Sequence, residues 1–471
     1  MMRSLFSGVA GLKTHQTKMD VIGNNIANVN TVAYKSQNVT FQELMYQTTQ
    51  SASAANAETG RGGINAKQIG LGVQTGAINA NISTSGASQT TGNPFDVQIK
   101  GDSFFIVSDG SNNYFTRAGA FYVDGMGNLA MTSNGYTVMG WQEDPTKPGT
   151  IIKDTVSPLK IMSAENKVSA PEQTTKAYLS GVIDKNSTQL TSNDGLIVNV
   201  GIYDNLGYSY VAKFGIKAST TTPGQYDINV VDLINSDGYS MMWPKSKAGY
   251  EKTGYDADGG PKSKDPTTYP KNMTITGGPL KYNTETGKNE NIDATTKLEV
   301  PLTIAITGID AFPAASPIQL YVGTSTMYDN KGTSTIKGNA GDYEGNYAGR
   351  KVGEMSGVAI AQDGKITATY DNGTSKLLGQ IAVANFANPS GLEKIGDNLY
   401  QSTPNSGAFD GIGEDITAGS GALSTGVLEM SNVDLSAEFT DMITTQRGFQ
   451  ANSRIITVSD SMLEELTNLK R

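Results

Sequence analysis

Leu5, Leu12, Met19 and Ile26 recur seven residues apart near the start of the chain, with Val9 and Ile22 widening the stripe. Leu435, Met442, Phe449, Ile456 and Leu463 recur at the same spacing near the finish. Ile455, Met462 and Leu469 run beside them, and Phe439 and Leu466 complete the apolar set. A seven-residue apolar period on a helix makes a narrow stripe that needs a partner helix. The pattern predicts a helix from residue 3 to about 28, roughly 40 Å long, and a second from near Val433 to about Leu469, roughly 55 Å long. The run from Asn24 to Thr31 ends the first, because Asn side chains compete for backbone hydrogen bonds. Asp434 or Ser436 caps the second. Packing on a domain core is the common fate of such helices. Here both are terminal and the neighbouring loops are long and polar, which favours pairing with each other or with further copies.

Between the helices the period changes to two. Residues 40–47 read as a helical turn and 48–63 as a loop or extended arm. Phe104-Phe105-Ile106-Val107 is a buried-strand pattern, and Asp109-Gly110, Asp124-Gly125 and Asn134-Gly135 are turn dipeptides at hairpin spacing. Further strands are expected at Leu196–Tyr203, Ser209–Ile216 and Leu298–Ile306, with a hairpin at Ile366–Tyr370, Asn372-Gly373, Leu377–Ala384. The expected fold is multi-domain and mainly β with long terminal α-helices, in a nested topology that goes out and comes back. A terminal helical domain (1–68 and 423–471) encloses a split β domain (69–150 and 346–422), which encloses an outer β domain (151–345). Residues 235–290 are poor in apolar side chains and read as an exposed excursion or inserted subdomain.

Composition narrows the chemistry. Gly contributes 54 of 471 residues, which suits a turn-rich β protein. The net charge of −9 lacks the basic face that nucleic acid requires. The ends differ in sign: residues 1–35 are basic, whereas residues 431–471 carry six acids against four bases. No stretch is apolar enough for a membrane span, and polar residues interrupt the N-terminus where a secretory signal would need a continuous apolar core. Cysteine is absent, so thiolate chemistry is excluded. His15 is the single histidine and belongs to the N-terminal helix, so neither a catalytic triad nor a His-rich metal site is available. Gly60-Arg61-Gly62-Gly63 and Gly70-Leu71-Gly72 lack the Lys-Ser/Thr of a phosphate loop and read as turns. Asp256-Ala257-Asp258-Gly259 has Thr267 where a calcium loop needs Glu, and reads as an acidic turn. No catalytic, cofactor or metal residues are expected.

Several segments carry a resemblance. They are Ser4 to Leu12, Gln16 to Ile22 and Asn24 to Thr31 near the start, and Ser431 to Leu435 and Gln446 to Asn452 near the end. Phe104 to Val107, Tyr114 to Gly119, Asn134 to Tyr136 and Leu378 to Phe386 add to it, as do residues 60–72 and Tyr203 to Gly207. With these the chain resembles the bacterial flagellar axial family of hook and rod proteins, most closely its hook members. Ala33 departs from the family pattern, which usually has Gly before the aromatic and Lys found here as Tyr34-Lys35. If that backbone needs positive φ, Ala costs roughly 1 kcal/mol more than Gly.

The resemblance implies a structural subunit of the flagellar hook, a self-assembling curved tube that acts as a universal joint and transmits torque from motor and rod to filament. It implies coiled-coil-like packing of the terminal helices as an inner layer, a middle β layer and an outer one. The implied partners are further copies of the chain, the distal rod protein, the hook cap, hook–filament junction proteins and the flagellar type III export apparatus, at the cell exterior and without a cleaved signal peptide. Phe41 to Met45 has a spacing suited to export recognition, although a helical turn is preferred. The alternatives are a distal rod or junction protein or, in another class, a secreted β-rich adhesin or enzyme.

Overall fold

The computed structural model describes residues 2–54, 60, 62–238, 273–291, 299–306, 312, 316–419 and 421–469. The acidic turn at 256–259 and most of the 235–290 excursion lie outside the described residues. The protein is mainly β with a long helix at each end, α1 (Met2–Ala27) and α2 (Leu435–Asn468). Asp434 caps α2: its carboxylate accepts from the Ser436 and Ala437 backbone N–H groups at 2.8 and 3.3 Å. This satisfies two donors that the helix start leaves orphaned.

The chain divides into two compact units, one of residues 1–166, 357–369 and 375–471, the other of residues 167–356 and 370–374. In the first unit the outgoing and returning halves are stitched strand to strand. Val97–Lys100 pairs with Ala422–Thr425, Ser88–Thr90 with Val427–Glu429, and Thr137–Gln142 with Ser375–Ile381. Phe104–Ser108 is buried throughout and pairs with Asn113–Thr116 across the Asp109-Gly110 turn. Phe104, Phe115 and Trp141 anchor this core, and the Trp141 indole N–H donates to the Asp154 and Ile412 carbonyls, both at 2.9 Å. An aromatic N–H buried without such partners would be costly.

In the second unit Leu196–Tyr203, Ser209–Ala218 and Gln225–Asn235 form an antiparallel meander. A second sheet is organised around Lys176–Asp184, which runs parallel to Ile318–Tyr321 and Ser325–Tyr328. Leu302–Ile306 is shorter than the run expected from Leu298, which lies outside the described residues. Phe214, Leu233, Leu302 and Leu320 are fully buried in this unit's core. The Asp204 carboxylate accepts from Leu206 N–H, Tyr208 N–H and Tyr210 Oη, fixing the tight turn after Tyr203.

One local expectation fails. Residues 40–47 are not a helical turn. Gln37–Glu43 is a strand that pairs antiparallel with Val73–Ala80, and the resulting ribbon packs on α1. Of 48–63, read as a loop or extended arm, residues 48–50 belong to the strand Tyr46–Gln50, which pairs with Lys67–Gly70. Both strands are held by partners at least 17 residues away, and such pairing overrides local preference. Gly72 (φ 128°) passes close to α1: a Cβ there would lie 3.2 Å from the Ala10 Cβ.

Ala33 is buried with φ 57°, the left-handed region that costs an L-residue about 1–2 kcal/mol. Its N–H donates to the Glu429 carbonyl at 2.8 Å, which fixes the bend. Ala33→Gly is therefore expected to stabilise the first unit by about 0.5–1 kcal/mol, after allowing for the greater unfolded-state freedom of Gly. A urea unfolding midpoint that falls would contradict this.

Candidate assembly surface

α1 and α2 lie antiparallel, and their register follows from the side chains that meet. Ser4 Oγ is 3.3 Å from Ser459 Oγ. Gly8 faces Ile456, Gly11 faces Asn452, and His15 faces Gly448. Lys18 Nζ is 3.0 Å from the Asp441 carboxylate, and Asn25 donates to Glu438 Oε1 at 2.8 Å. Positions 4, 8, 11, 15, 18, 22 and 25 step by four and three, the rhythm of a coiled-coil seam. Yet the occupants are small or polar, with Ile22 the apolar exception. Thr14, Thr445 and Ser459 are buried along the same contact.

The absence of side chains brings the backbones close. A Cβ on Gly11 would come within 2.8 Å of the Asn452 amide, and one on Gly448 within 2.7 Å of the His15 ring. His15 also meets Phe41 edge-on, ring centroids 5.5 Å apart. Burial and the neighbouring Lys18 ammonium hold its pKa below the ordinary imidazole value, so the ring fills the seam in its neutral form. That is a packing role.

The intrachain seam thus leaves much of the apolar surface uncovered. Leu5, Leu12, Met19 and Ile26 each sit one residue after a seam position and are half-buried at its flank, as are Met442, Ile456 and Leu463. Ile22 is buried. Val9, Leu435, Phe439, Phe449, Ile455, Met462, Leu466 and Leu469 are exposed. Phe6, Ile443 and Val458, which the seven-residue count passes over, are exposed with them. The seam glycines and Asn452 were missed because an apolar search ignores small residues. Small side chains at alternating spacings of three and four were the available signal.

The base of the helix pair is held by buried polar groups. Lys35 and Glu429 have fully buried side chains and meet at 2.7 Å. The Lys35 ammonium also donates to the Thr84 carbonyl at 2.7 Å, and Gly86 N–H donates to Glu429 Oε1 at 3.0 Å. Arg117 approaches Glu429 to 3.7 Å and donates to the Gly101 carbonyl at 2.7 Å. Burial pushes the Lys35 ammonium below its usual value, and Glu429 partly offsets that. Asn25 accepts from Gln37 N–H at 3.0 Å and donates to its carbonyl at 2.8 Å. Asn432 accepts from Ser36 N–H at 2.8 Å and donates to the Asn81 carbonyl at 2.9 Å. The segment leaving α1 and the segment entering α2 are therefore tied to the same β body.

Among the described residues no group of three or more His, Cys, Asp or Glu is placed to hold a metal ion, and no helix is long and apolar enough to cross a membrane.

Three protein-family models match parts of the chain: Flagella basal body rod protein at residues 5–35, Flagellar hook protein FlgE/F/G D1 domain at 98–180, and Flagellar basal body rod FlgEFG protein C-terminal at 424–469. Among curated proteins the chain is 36% identical to the flagellar hook protein FlgE of Borreliella burgdorferi and 34% identical to that of Treponema pallidum, covering all of both chains in each case. It is 28% identical to the flagellar basal-body rod protein FlgG of Bacillus subtilis, again over both chains in full.

Gly11→Leu places a bulky side chain where a single Cβ already meets Asn452, so the helices cannot keep their separation. The expected outcome is loss of ordered association, while the thermal unfolding of the two β units is unchanged. Sedimentation together with calorimetry checks both halves of this statement.

Proposed function

The chain belongs to the flagellar hook protein family, and from that premise we propose that it is a structural subunit of the bacterial flagellar hook, polymerising with its own copies into the tube that joins motor and filament. The observation that carries this is the exposed apolar surface of two terminal helices that are already paired. Phe439, Ile443, Phe449, Ile455, Val458, Met462 and Leu466 are each 38–56% exposed. Complete burial of such half-exposed side chains is worth roughly 1 kcal/mol apiece, or on the order of 7 kcal/mol per copy. Association itself costs an estimated 4–15 kcal/mol, so one neighbour is marginal and several are needed. A surface with that balance favours a cooperative polymer over a dimer.

In this reading Leu5, Val9, Leu12, Met19, Ile22 and Ile26 on α1, with the apolar set of α2, form the inner packing layer. Residues 1–68 and 423–471 line the tube, 69–150 and 346–422 make its middle layer, and 151–345 its outer layer. The outer layer is rich in Thr, Asn, Lys and Asp, which suits weak contacts that re-form as a curved tube turns. The role is mechanical, with no catalysis. Further partners are the distal rod protein, the hook cap and the hook–filament junction proteins. Export through the flagellar type III apparatus, without a cleaved signal, would bring the subunit to the cell exterior.

Electron microscopy of the purified chain at rising concentration tests the proposal. Tubes are expected from the intact chain and none from a chain lacking residues 2–27, whose β units should still unfold at the usual temperature. Tubes from the shortened chain, or none from the intact one under any polymerising condition, would refute it.

A further inference from the structure

The single histidine of the chain stands inside the α1–α2 seam. The half-buried His15 ring occupies the space that Gly448 leaves free: a Cβ there would lie 2.7 Å from the ring Cε1 and 2.8 Å from Nε2. Phe41 of the ribbon meets the ring edge-on, with 86° between the planes. His15 Nδ1 is buried and has no hydrogen-bond partner. A neutral ring can leave that nitrogen as a bare lone pair. An imidazolium cannot, because both ring nitrogens then carry N–H groups, and a buried N–H without an acceptor costs the hydration it has lost.

The charges around the ring do not relieve that cost. On α1, Lys18 stands one turn further along and acts on the ring as a like charge, and exposed Lys13 adds another cation. On α2, Asp441 is engaged by Lys18 at 3.0 Å, and exposed Arg447 beside Gly448 is again cationic. Of the two ribbon strands, Val73–Ala80 has no charged residue and Gln37–Glu43 has one, Glu43, whose carboxylate accepts from the Tyr46 hydroxyl at 2.5 Å.

We propose that His15 is an acid-release latch for the helix pair: neutral, it lets the seam close; protonated, it releases α1 from α2. The seam lies within one chain, so the latch goes beyond the hook-subunit reading and does not depend on it. Histidine is the side chain that ordinarily changes charge between pH 5 and 8, with a midpoint near 6.5. Burial and Lys18 hold His15 below that value in the closed pair, so the separated helices take up the proton more readily. The advantage of the closed pair is complete above about pH 6.5 and is lost as pH falls from there toward the lower value of the closed ring. Glu438, which meets Asn25 about 15 Å along the seam, works in the opposite sense. Burial raises its carboxyl, so acid favours closure there. The apolar flanks of the two helices stand side by side in the closed pair, so release of the seam also weakens association.

The chain has no cysteine, so the latch can be tested on the full-length protein. Spin labels are placed at Arg3→Cys and Asp460→Cys, exposed positions next to the Ser4–Ser459 contact. Double electron–electron resonance reads the closed-to-open ratio in dilute solution, at a urea concentration that half-opens the seam at pH 7.5. On moving to pH 5.5 the ratio is expected to fall severalfold, with a ceiling of about tenfold per pH unit for one proton. The fall should vanish in His15→Gln, held at its own half-opening concentration. An NMR titration of His15 in the unlabelled chain should give a midpoint below that of the same residue in fully unfolded chain. An equal fall with and without His15, no fall in either, or a His15 midpoint at or above the unfolded value would overturn the latch. So would a seam already open at pH 7.5 without urea. If His15→Gln forms no seam, the NMR midpoint decides: below the unfolded value supports the latch, at or above it refutes it. None of these measurements needs tubes, so a failure to polymerise counts against the hook-subunit reading alone.

Discussion

The close approach of α1 and α2 through glycine and short polar side chains is the constraint from which the rest of the molecule follows. Gly8, Gly11 and Gly448 remove the atoms that would hold the helices apart. Ser4, Asn25, Asn452 and the Lys18–Asp441 pair supply direction and register in place of apolar bulk. A seam built from Leu and Ile would have consumed the apolar residues within the chain. This one leaves them on the outside, where a neighbouring copy can reach them. The usual order of a soluble fold, apolar inside and polar outside, is partly reversed on the terminal helices. Exposed apolar surface of this extent marks an interaction site.

The helix pair is also fixed to the β body. The Lys35–Glu429 pair, with Arg117 beside it, does this at the base. Two charges removed from water lose hydration that their mutual attraction repays only with good geometry, so the cluster is weak grounds for extra stability. Its value lies in specificity. Glu429 accepts from Lys35 and Gly86 through its carboxylate and from Ala33 through its carbonyl, which sets the paths into and out of the helices together. The strained Ala33 conformation belongs to the same junction. A single residue there determines how the chain turns from α1 toward the body.

Much of the fold was legible in the sequence. The seven-residue stripes located both helices to within a few residues, and Asp434 was named as a possible cap. Phe104–Val107, Leu196–Tyr203 and the Asn372-Gly373 hairpin were marked by apolar runs and turn residues, signals that act over a handful of positions. The misses share a different physics. The strands at Gln37–Glu43 and Tyr46–Gln50 are set by partners at Val73–Ala80 and Lys67–Gly70, and nothing local announces them. The Lys35–Glu429 contact joins residues 394 apart. The helix seam was hidden for another reason: it is made of the residues that hydrophobic counting discards. The stripes showed where apolar surface lay and left open whether the chain itself would cover it.

The central claim is that the apolar flanks of the terminal helices are open in the single chain and covered by other copies. Hydroxyl-radical footprinting of dilute chain and of sedimented assemblies, read at Phe439, Phe449, Met462 and Leu466 against Ser4 and Ser459 in the seam, tests it most directly. The account predicts strong labelling of the four apolar side chains in the dilute chain and a severalfold loss on assembly, with the seam little changed. Equal labelling in both states, or protection already complete in the dilute chain, would contradict it.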